Sequence, residues 1–168
     1  MAGPCAVEGF EQVDATAHNM KVVGAHIFRG RAFKPCIPPY SLRGSQEDSL
    51  RMLCDTDQTL QLLIITECMA PENVDLVLPY ADVIQIGARN VQNLSLPERS
   101  GQIKTPVLLK RDISTPIEEW QLATEYILEA ENHNFILRKR RIRTFETATH
   151  NTLDLSAVLG LHKRTCHS

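Results

Sequence analysis

Short apolar runs alternate with longer segments of helical periodicity along this chain. The apolar runs are rich in β-branched and aliphatic residues and have the length of strands. They cover residues 2–7, 21–27, 61–66, 83–87, 106–110 and 134–138. Because these runs are almost continuously apolar, they predict strands that are covered on both faces. The pattern therefore predicts an α/β fold built on a parallel sheet of six strands.

Helix signals lie between the predicted strands. Acidic residues follow Ser45 and open an amphipathic run over residues 46–59. Proline and glutamate at the start of 71–80 predict a short helix, and acidic residues in the first turn support a longer one over 117–131. A last helix is predicted over 145–158. These segments can supply the helical connections that parallel strands need.

The number of βα units limits the architecture. An eight-unit barrel needs ~250 residues, so six units in 168 residues correspond to about two-thirds of one. An open doubly wound sheet is the alternative, but no G-x-G-x-x-G or phosphate-binding loop follows the first strand. The fold class predicted is α/β, an incomplete (β/α)8 TIM barrel with about six βα units.

Composition supports a folded domain. Hydrophobic residues make up 43% of the chain and charged residues 23%, which excludes a disordered sequence. No stretch approaches the ~20 apolar residues that a membrane span requires, and the N-terminus lacks the features of a signal peptide. The five cysteines form no C-x-x-C pair, so reduced thiols are expected. A soluble, cytoplasmic protein without a membrane partner is predicted.

Basic residues are concentrated toward the C-terminus. Residues 1–130 carry 11 basic and 17 acidic side chains, whereas 131–168 carry seven and three. The basic run at 138–143 could form a nucleic-acid patch. That interpretation ranks second, because alternation along a strand would divide the cations between two faces and aromatic residues only flank the run. No nucleic-acid partner is predicted.

Polar side chains follow the predicted strands at their carboxyl ends, where the chemistry of a parallel barrel takes place. From the first strand to the sixth, these residues are Cys5, Arg29, Glu67, Arg89, Lys110 and Arg140. Four cations at one rim predict an anionic ligand, since clustered like charges are costly without a counter-ion. Arginine and lysine together suit a phosphorylated acid. Any one of them, taken alone, is more simply explained as a solvated loop cation.

Metal chemistry is less clearly marked. Cys5 could be a metal ligand or a small buried hydrophobe, and its spacing leaves both readings open. The six histidines form no H-x-H or H-x-x-x-H pair, and neither G-x-S-x-G nor H-E-x-x-H is present. The residues alone therefore do not predict a metal site, a zincin or a nucleophile-elbow hydrolase.

Several motifs on successive predicted strands resemble one enzyme family. They are Ala2-Gly3-Pro4-Cys5-Ala6-Val7-Glu8, Arg29-Gly30-Arg31-Ala32-Phe33-Lys34-Pro35, Pro39-Tyr40-Ser41, Gln85-Ile86-Gly87-Ala88-Arg89-Asn90, Val107-Leu108-Leu109-Lys110-Arg111, Ile142-Arg143-Thr144-Phe145-Glu146-Thr147 and Asn151-Thr152-Leu153-Asp154-Leu155-Ser156. The chain resembles the type I 3-deoxy-7-phosphoheptulonate (DAHP) synthases, in the subgroup related to 3-deoxy-octulosonate-8-phosphate synthases. The resemblance implies a partial TIM-barrel synthase domain over 1–158 and a divergent tail over 159–168.

The resemblance also implies a reaction. The family condenses phosphoenolpyruvate with erythrose 4-phosphate, using a divalent metal such as Mn²⁺, at the first step of the shikimate pathway. By resemblance, Arg89 and Arg140 hold the phosphate of phosphoenolpyruvate. Arg29, Lys34 and Lys110 surround its carboxylate and the forming bond.

Two further roles follow from the same resemblance. Cys5 corresponds to the family's cysteine metal ligand, and Glu67 helps to order the attacking water, so that Lys110 and Glu67 are the predicted catalytic residues. The family's Arg-Thr-Ser, which contacts erythrose 4-phosphate, is replaced here by residues 36–38, Cys-Ile-Pro. The family's last two strands, with its other metal ligands, have no counterpart after Val158, so a truncated barrel with an incomplete ligand set is expected.

Alternatives to an active synthase stay open on the sequence. One is a catalytically dead remnant or a non-catalytic phosphoenolpyruvate-binding module. Another is a 3-deoxy-octulosonate-8-phosphate synthase, although Lys34-Pro35 followed by Pro39-Tyr40-Ser41 favours the heptulonate enzyme. Unpaired edge strands in an incomplete barrel would also permit a homo-oligomer.

Overall fold

Five strands and six helices alternate along the residues that the structure describes. The computed structural model describes residues 1–33, 46–146, 148 and 152–165. The strands are β1 (Ile27–Arg29), β2 (Leu63–Cys68), β3 (Val83–Ile86), β4 (Val107–Lys110) and β5 (Phe135–Arg138). The helices are α1 (Phe10–Val22), α2 (Gln46–Leu60), α3 (Val74–Val77), α4 (Ser95–Gly101), α5 (Ile117–Glu129) and α6 (Ser156–Thr165). Short 3₁₀ helices occupy Pro71–Asn73, Leu78–Tyr80 and Ala88–Asn90.

The strands form one sheet in the order β1-β2-β3-β4-β5. The pairs β1–β2 and β4–β5 are parallel, with Phe28 opposite Ile64 and Leu108 opposite Ile136. Helices connect the successive strands, so the predicted α/β class is confirmed. No helix in the part of the chain that the structure describes is long and apolar enough to cross a membrane.

The prediction of a strand over residues 2–7 was wrong, except that one residue of this segment pairs with β1. Ala2 makes one parallel bridge to Phe28, and no strand continues from it. Gly3 has a φ of 144°, and Pro4 has no N–H to donate, so the hydrogen-bond ladder stops after one step. The segment nevertheless lies beside β1 and pairs with its outer edge.

Two other predicted boundaries were wrong. The strand predicted over 21–27 begins only at Ile27, because α1 continues to Val22. Gly24, just beyond the end of this helix, adopts a left-handed φ of 81°. The helix predicted over 145–158 is not present in the described residues of that range before Ser156. An antiparallel bridge between Ile142 and Thr152 replaces it, and α6 starts later.

The chain consists of two compact units, Met1–Gln85 and Ile86–Ser168. In the first, a cluster of fully buried apolar side chains joins α1, α2, β1 and β2, and includes Val13, Phe28, Leu53 and Ile64. Gly30, directly after β1, allows the backbone to approach α2 closely, since a Cβ at this position would collide with the side chain of Leu53. This close packing fixes the carboxyl end of β1.

The second unit has its own apolar core. Trp120, Ala123 and Ile127 form the buried stripe of α5, and the three apolar residues of β4 are also buried. Gly101 at the end of α4 lies against α5, where an added Cβ would stand 2.6 Å from Cβ of Ala130. The packing of α4 and α5 supports the carboxyl end of β4.

Candidate functional site

The first unit brings three polar side chains of adjacent strands together. Arg29 is the last residue of β1 and lies opposite Ile65 in the parallel register. Glu67 lies two residues after Ile65 and therefore shares its face of the sheet. Gln85 in β3 is buried in a strand whose other three residues are aliphatic. The carboxyl ends of these strands thus carry a cation, an acid and an amide.

Hydrogen bonds connect these three residues in a fixed order. Nε of Arg29 donates to Oε1 of Gln85 at 3.2 Å, and Nε2 of Gln85 donates to Oε2 of Glu67 at 2.8 Å. Nε of Arg31 forms an ion pair with the same Glu67 oxygen at 2.7 Å, and the Glu67 side chain is 8% exposed. Each contact to Glu67 needs an acceptor, which suits its carboxylate form. A buried carboxylate is therefore paired with a cation, as burial of a charge requires.

Cys5 lies in the segment that runs alongside β1. The N–H of Arg29 donates to the carbonyl of Ala2 at 2.7 Å, and the N–H of Val7 donates to the carbonyl of Arg31 at 3.2 Å. These bonds hold Cys5 near the carboxyl end of β1, where its side chain is exposed. Lys34, the remaining predicted residue of this unit, lies outside the described residues.

A divalent metal ion would need several ligating side chains close to Cys5. Within the described ranges, no three His, Cys, Asp or Glu side chains are grouped so that they could hold a metal ion. Cys5 supplies one exposed thiol, whereas a protein site for a divalent ion needs several ligands in fixed geometry. The described residues do not fit the metal that the resemblance implies.

The second unit places cations after three successive strands. Arg89 lies in the 3₁₀ helix that follows β3 and is exposed. Lys110 ends β4 directly opposite Arg138, the last residue of β5, and Arg140 follows two residues later with an exposed side chain. Within this unit, the predicted anion-binding residues Arg89, Lys110 and Arg140 all lie at or just beyond the carboxyl ends of strands.

A buried arginine anchors the end of β4. Nε of Arg111 donates to the carbonyl of Thr115 at 2.8 Å, and its Nη1 donates to Oδ2 of Asp154 at 2.9 Å. The other carboxylate oxygen of Asp154 accepts the N–H of Ala157 in the first turn of α6 at 3.1 Å. The segment before α6 is therefore tied to the strand that carries Lys110.

Electrostatics favour the ionised form of Asp154. The hydrogen bond from Arg111 holds the pKa of this carboxyl below its ordinary value, and the N–H of Ala157 and the positive charge of Lys139 act in the same direction. Partial burial opposes the shift and is outweighed. The ion pair is consequently present at neutral pH.

Sequence reasoning missed three contributors to these clusters: Arg31, Gln85 and the Arg111–Asp154 pair. Gln85 carried a usable signal, because it is the one polar residue in the run 83–87. The partnership of Arg111 with Asp154 had none, since 43 positions separate the two residues. Arg31 belonged to a quoted motif, but nothing in its spacing pointed to Glu67.

A parallel sheet with helical connections and charged side chains after its strands is the arrangement found in (β/α)-barrel proteins. The sequence matches the DAHP synthetase I family over residues 1–168, and the chain belongs to that family. This confirms the resemblance to DAHP synthases.

Individual relatives agree with this assignment. A curated Thermotoga maritima protein named phospho-2-dehydro-3-deoxyheptonate aldolase is 44% identical over 165 residues, covering 98% of this chain and 49% of the relative. The crystal structure of a T. maritima protein of the same name superposes with a TM-score of 0.89 at 43% identity, covering 97% of this chain and 47% of the other. A truncated T. maritima 3-deoxy-D-arabino-heptulosonate 7-phosphate synthase gives 0.87 at 44% identity, covering 97% and 59%. The chain spans about half the length of the curated relative.

Proposed function

We propose that this chain carries the phosphoenolpyruvate-binding part of a DAHP-synthase-type condensation. The observation that carries the proposal is the family match over the whole chain, combined with cations at or beyond the ends of β1, β3, β4 and β5. The reaction opens the shikimate pathway, which leads to chorismate and the aromatic amino acids. Erythrose 4-phosphate is the proposed second substrate.

The five proposed binding residues are divided between the two anionic groups of phosphoenolpyruvate. Arg89 and Arg140 bind the phosphate, for which two exposed guanidinium groups offer paired donors. Arg29, Lys34 and Lys110 bind the carboxylate and the region of the new bond. Of these three, Arg29 and Lys110 lie within the described residues and are half-buried at the ends of β1 and β4. Reduced contact with water there strengthens their attraction for an anion.

The proposed reaction balances without a redox step. C3 of phosphoenolpyruvate forms a bond to the aldehyde carbon of erythrose 4-phosphate, water adds at C2, and inorganic phosphate leaves as the C2 ketone forms. Glu67 helps to order the water, and Lys110 stabilises negative charge near the forming bond. Holding both substrates in register supplies much of the rate enhancement expected for such a condensation.

Cys5 is the proposed metal ligand of this chain. Because it has no described partner ligands, we propose that this chain alone binds phosphoenolpyruvate without turning it over. The remaining donors would have to come from residues beyond the described ranges or from the part of the relative's length that this chain does not span.

Phosphate release measures the proposed function. The 168-residue chain is assayed with phosphoenolpyruvate, erythrose 4-phosphate and Mn²⁺, beside a fusion that adds the part of the T. maritima relative that this chain does not span. We expect phosphate from the fusion only, and loss of that activity on Cys5→Ala. A fusion that is folded and metal-loaded but releases no phosphate would contradict the proposal. A five-carbon aldose phosphate in place of erythrose 4-phosphate tests for the octulosonate reaction.

A further inference from the structure

Gln85 is the least exposed polar residue of the first unit's cluster, with 1% of its surface accessible. Its amide lies between a guanidinium and a carboxylate, and both of its ends are used. The oxygen accepts from Nε of Arg29, and the nitrogen donates to Oε2 of Glu67. A cation can face only the oxygen of an amide and a carboxylate only its NH₂, so the two partners fix how Gln85 is oriented.

We propose that Gln85 is a positioning residue that orients the guanidinium of Arg29 for the carboxylate of phosphoenolpyruvate. The inference rests on the proposed function, which assigns that carboxylate to Arg29. Gln85 holds Arg29 through a neutral acceptor, while Arg31 provides the positive charge at Glu67. The amide therefore separates Arg29 from the buried acid. A direct pair between Arg29 and Glu67 would direct the guanidinium toward Glu67 instead of toward the substrate.

Two variants and a second ligand separate positioning from general packing. Gln85→Met keeps a similar volume and removes both hydrogen bonds. Gln85→Glu pairs Arg29 directly with a charge and places a second carboxylate against Glu67, which like-charge repulsion disfavours. Inorganic phosphate lacks the carboxylate that is assigned to Arg29, so its binding reports general packing alone.

The test is calorimetric titration of phosphoenolpyruvate into the 168-residue chain at neutral pH and low salt. We expect Gln85→Met to raise Kd about tenfold, as for the loss of a hydrogen bond to a charged group. Gln85→Glu should raise Kd at least as much, whereas neither variant should change the Kd of inorganic phosphate. The matched control is Gln102→Met, an exposed glutamine, which should leave Kd unchanged.

Thermal unfolding of each variant identifies those that fail to fold, and Kd values are compared at equal folded fraction. A folded Gln85→Met with an unaltered Kd would overturn the positioning role and leave the proposed function standing. So would a Gln85→Met variant that weakens the binding of inorganic phosphate as much as that of phosphoenolpyruvate. If the unaltered chain itself does not bind phosphoenolpyruvate, the proposed function is wrong, and this inference, which rests on it, is wrong as well.

Discussion

The guanidinium of Arg111 donates to the carboxylate of Asp154 across 2.9 Å, and this pair links the end of β4 to the start of α6. Both side chains are largely removed from solvent, at 8% and 16% exposure. Arg111 also extends the β4–β5 pairing, because its N–H donates to the carbonyl of Arg138 at 3.0 Å. One side chain and its backbone thus hold together three segments of the second unit.

Removing Arg111 should destabilise the second unit. Arg111→Met leaves Asp154 without its charged partner and the carbonyl of Thr115 without its donor, for an expected cost of about 2–4 kcal/mol in the free energy of unfolding. Urea denaturation followed by circular dichroism measures this cost.

An exposed ion pair on α2 provides the control. The guanidinium of Arg51 donates to the carboxylate of Glu47 at 2.8 Å, as Arg111 does to Asp154, but both groups of this pair lie in solvent. Arg51→Met should change stability very little, because exposed pairs contribute little. If Arg51→Met and Arg111→Met lowered the free energy of unfolding equally, the stabilising role of the buried pair would be contradicted.

The same pair predicts a dependence on acid. The pKa of Asp154 is lowered in the folded chain, mainly by the hydrogen bond from Arg111, relative to about 3.9 in the unfolded chain. Its contribution is therefore complete above the unfolded value and is lost as pH falls through the lower folded value. The stability difference between the unaltered chain and Asp154→Asn should be larger at pH 6 than at pH 3. A difference that is constant over this range would show that the carboxylate charge is unimportant.

Two cysteines should differ sharply in reactivity. Cys5 is exposed, whereas Cys68 is buried in β2, and burial raises the pKa of its thiol. Only the thiolate reacts with alkylating reagents, so Cys68 is disfavoured by both access and ionisation. Peptide mass spectrometry after brief iodoacetamide treatment at pH 8 should find Cys5 modified and Cys68 intact until urea is added. Fast modification of Cys68 in the folded chain would show that the end of β2 opens readily.

Much of the fold followed from hydrophobic periodicity. Continuous apolar runs located β2 through β5 to within two residues. The signal is strong where a strand is buried on both faces, as in β3, whereas β5 is half exposed. The predicted boundaries were wrong where the effect of a few residues outweighed hydrophobic periodicity. Gly3 and Pro4 stopped a strand of favourable composition, and Asp154 set the start of α6 through a partner far away in the sequence.

For the candidate site, the sequence predicted which residue types lie at the strand ends but not the contacts between their side chains. The rule that chemistry follows parallel strands selected Arg29, Glu67, Arg89 and Lys110 without any knowledge of their contacts. It could not find Gln85, because a buried amide matters here through the two groups beside it and not through a motif. Side-chain partnerships depend on three-dimensional packing, which periodicity does not encode.

The unaltered chain should hold Mn²⁺ only weakly. Among the described residues, exposed Cys5 belongs to no group of three or more potential ligands, and metal affinity depends on several ligands arranged together. Electron paramagnetic resonance of Mn²⁺ should show mostly free ion at equal concentrations of metal and chain, with no change on Cys5→Ala. Stoichiometric binding that Cys5→Ala abolishes would reveal a complete ligand set around this residue, and with it the capacity for turnover.

Titration of phosphoenolpyruvate into the 168-residue chain tests the central claim most directly. The account predicts binding that weakens as salt is raised, because the contacts are between charges that remain partly open to solvent. It also predicts that Arg89→Ala with Arg140→Ala lowers affinity by about 100-fold or more, since each removes a charge-assisted contact. Binding that is unchanged in the folded double variant, or no binding by the unaltered chain at low salt, would contradict the claim that these strand ends form a phosphoenolpyruvate site.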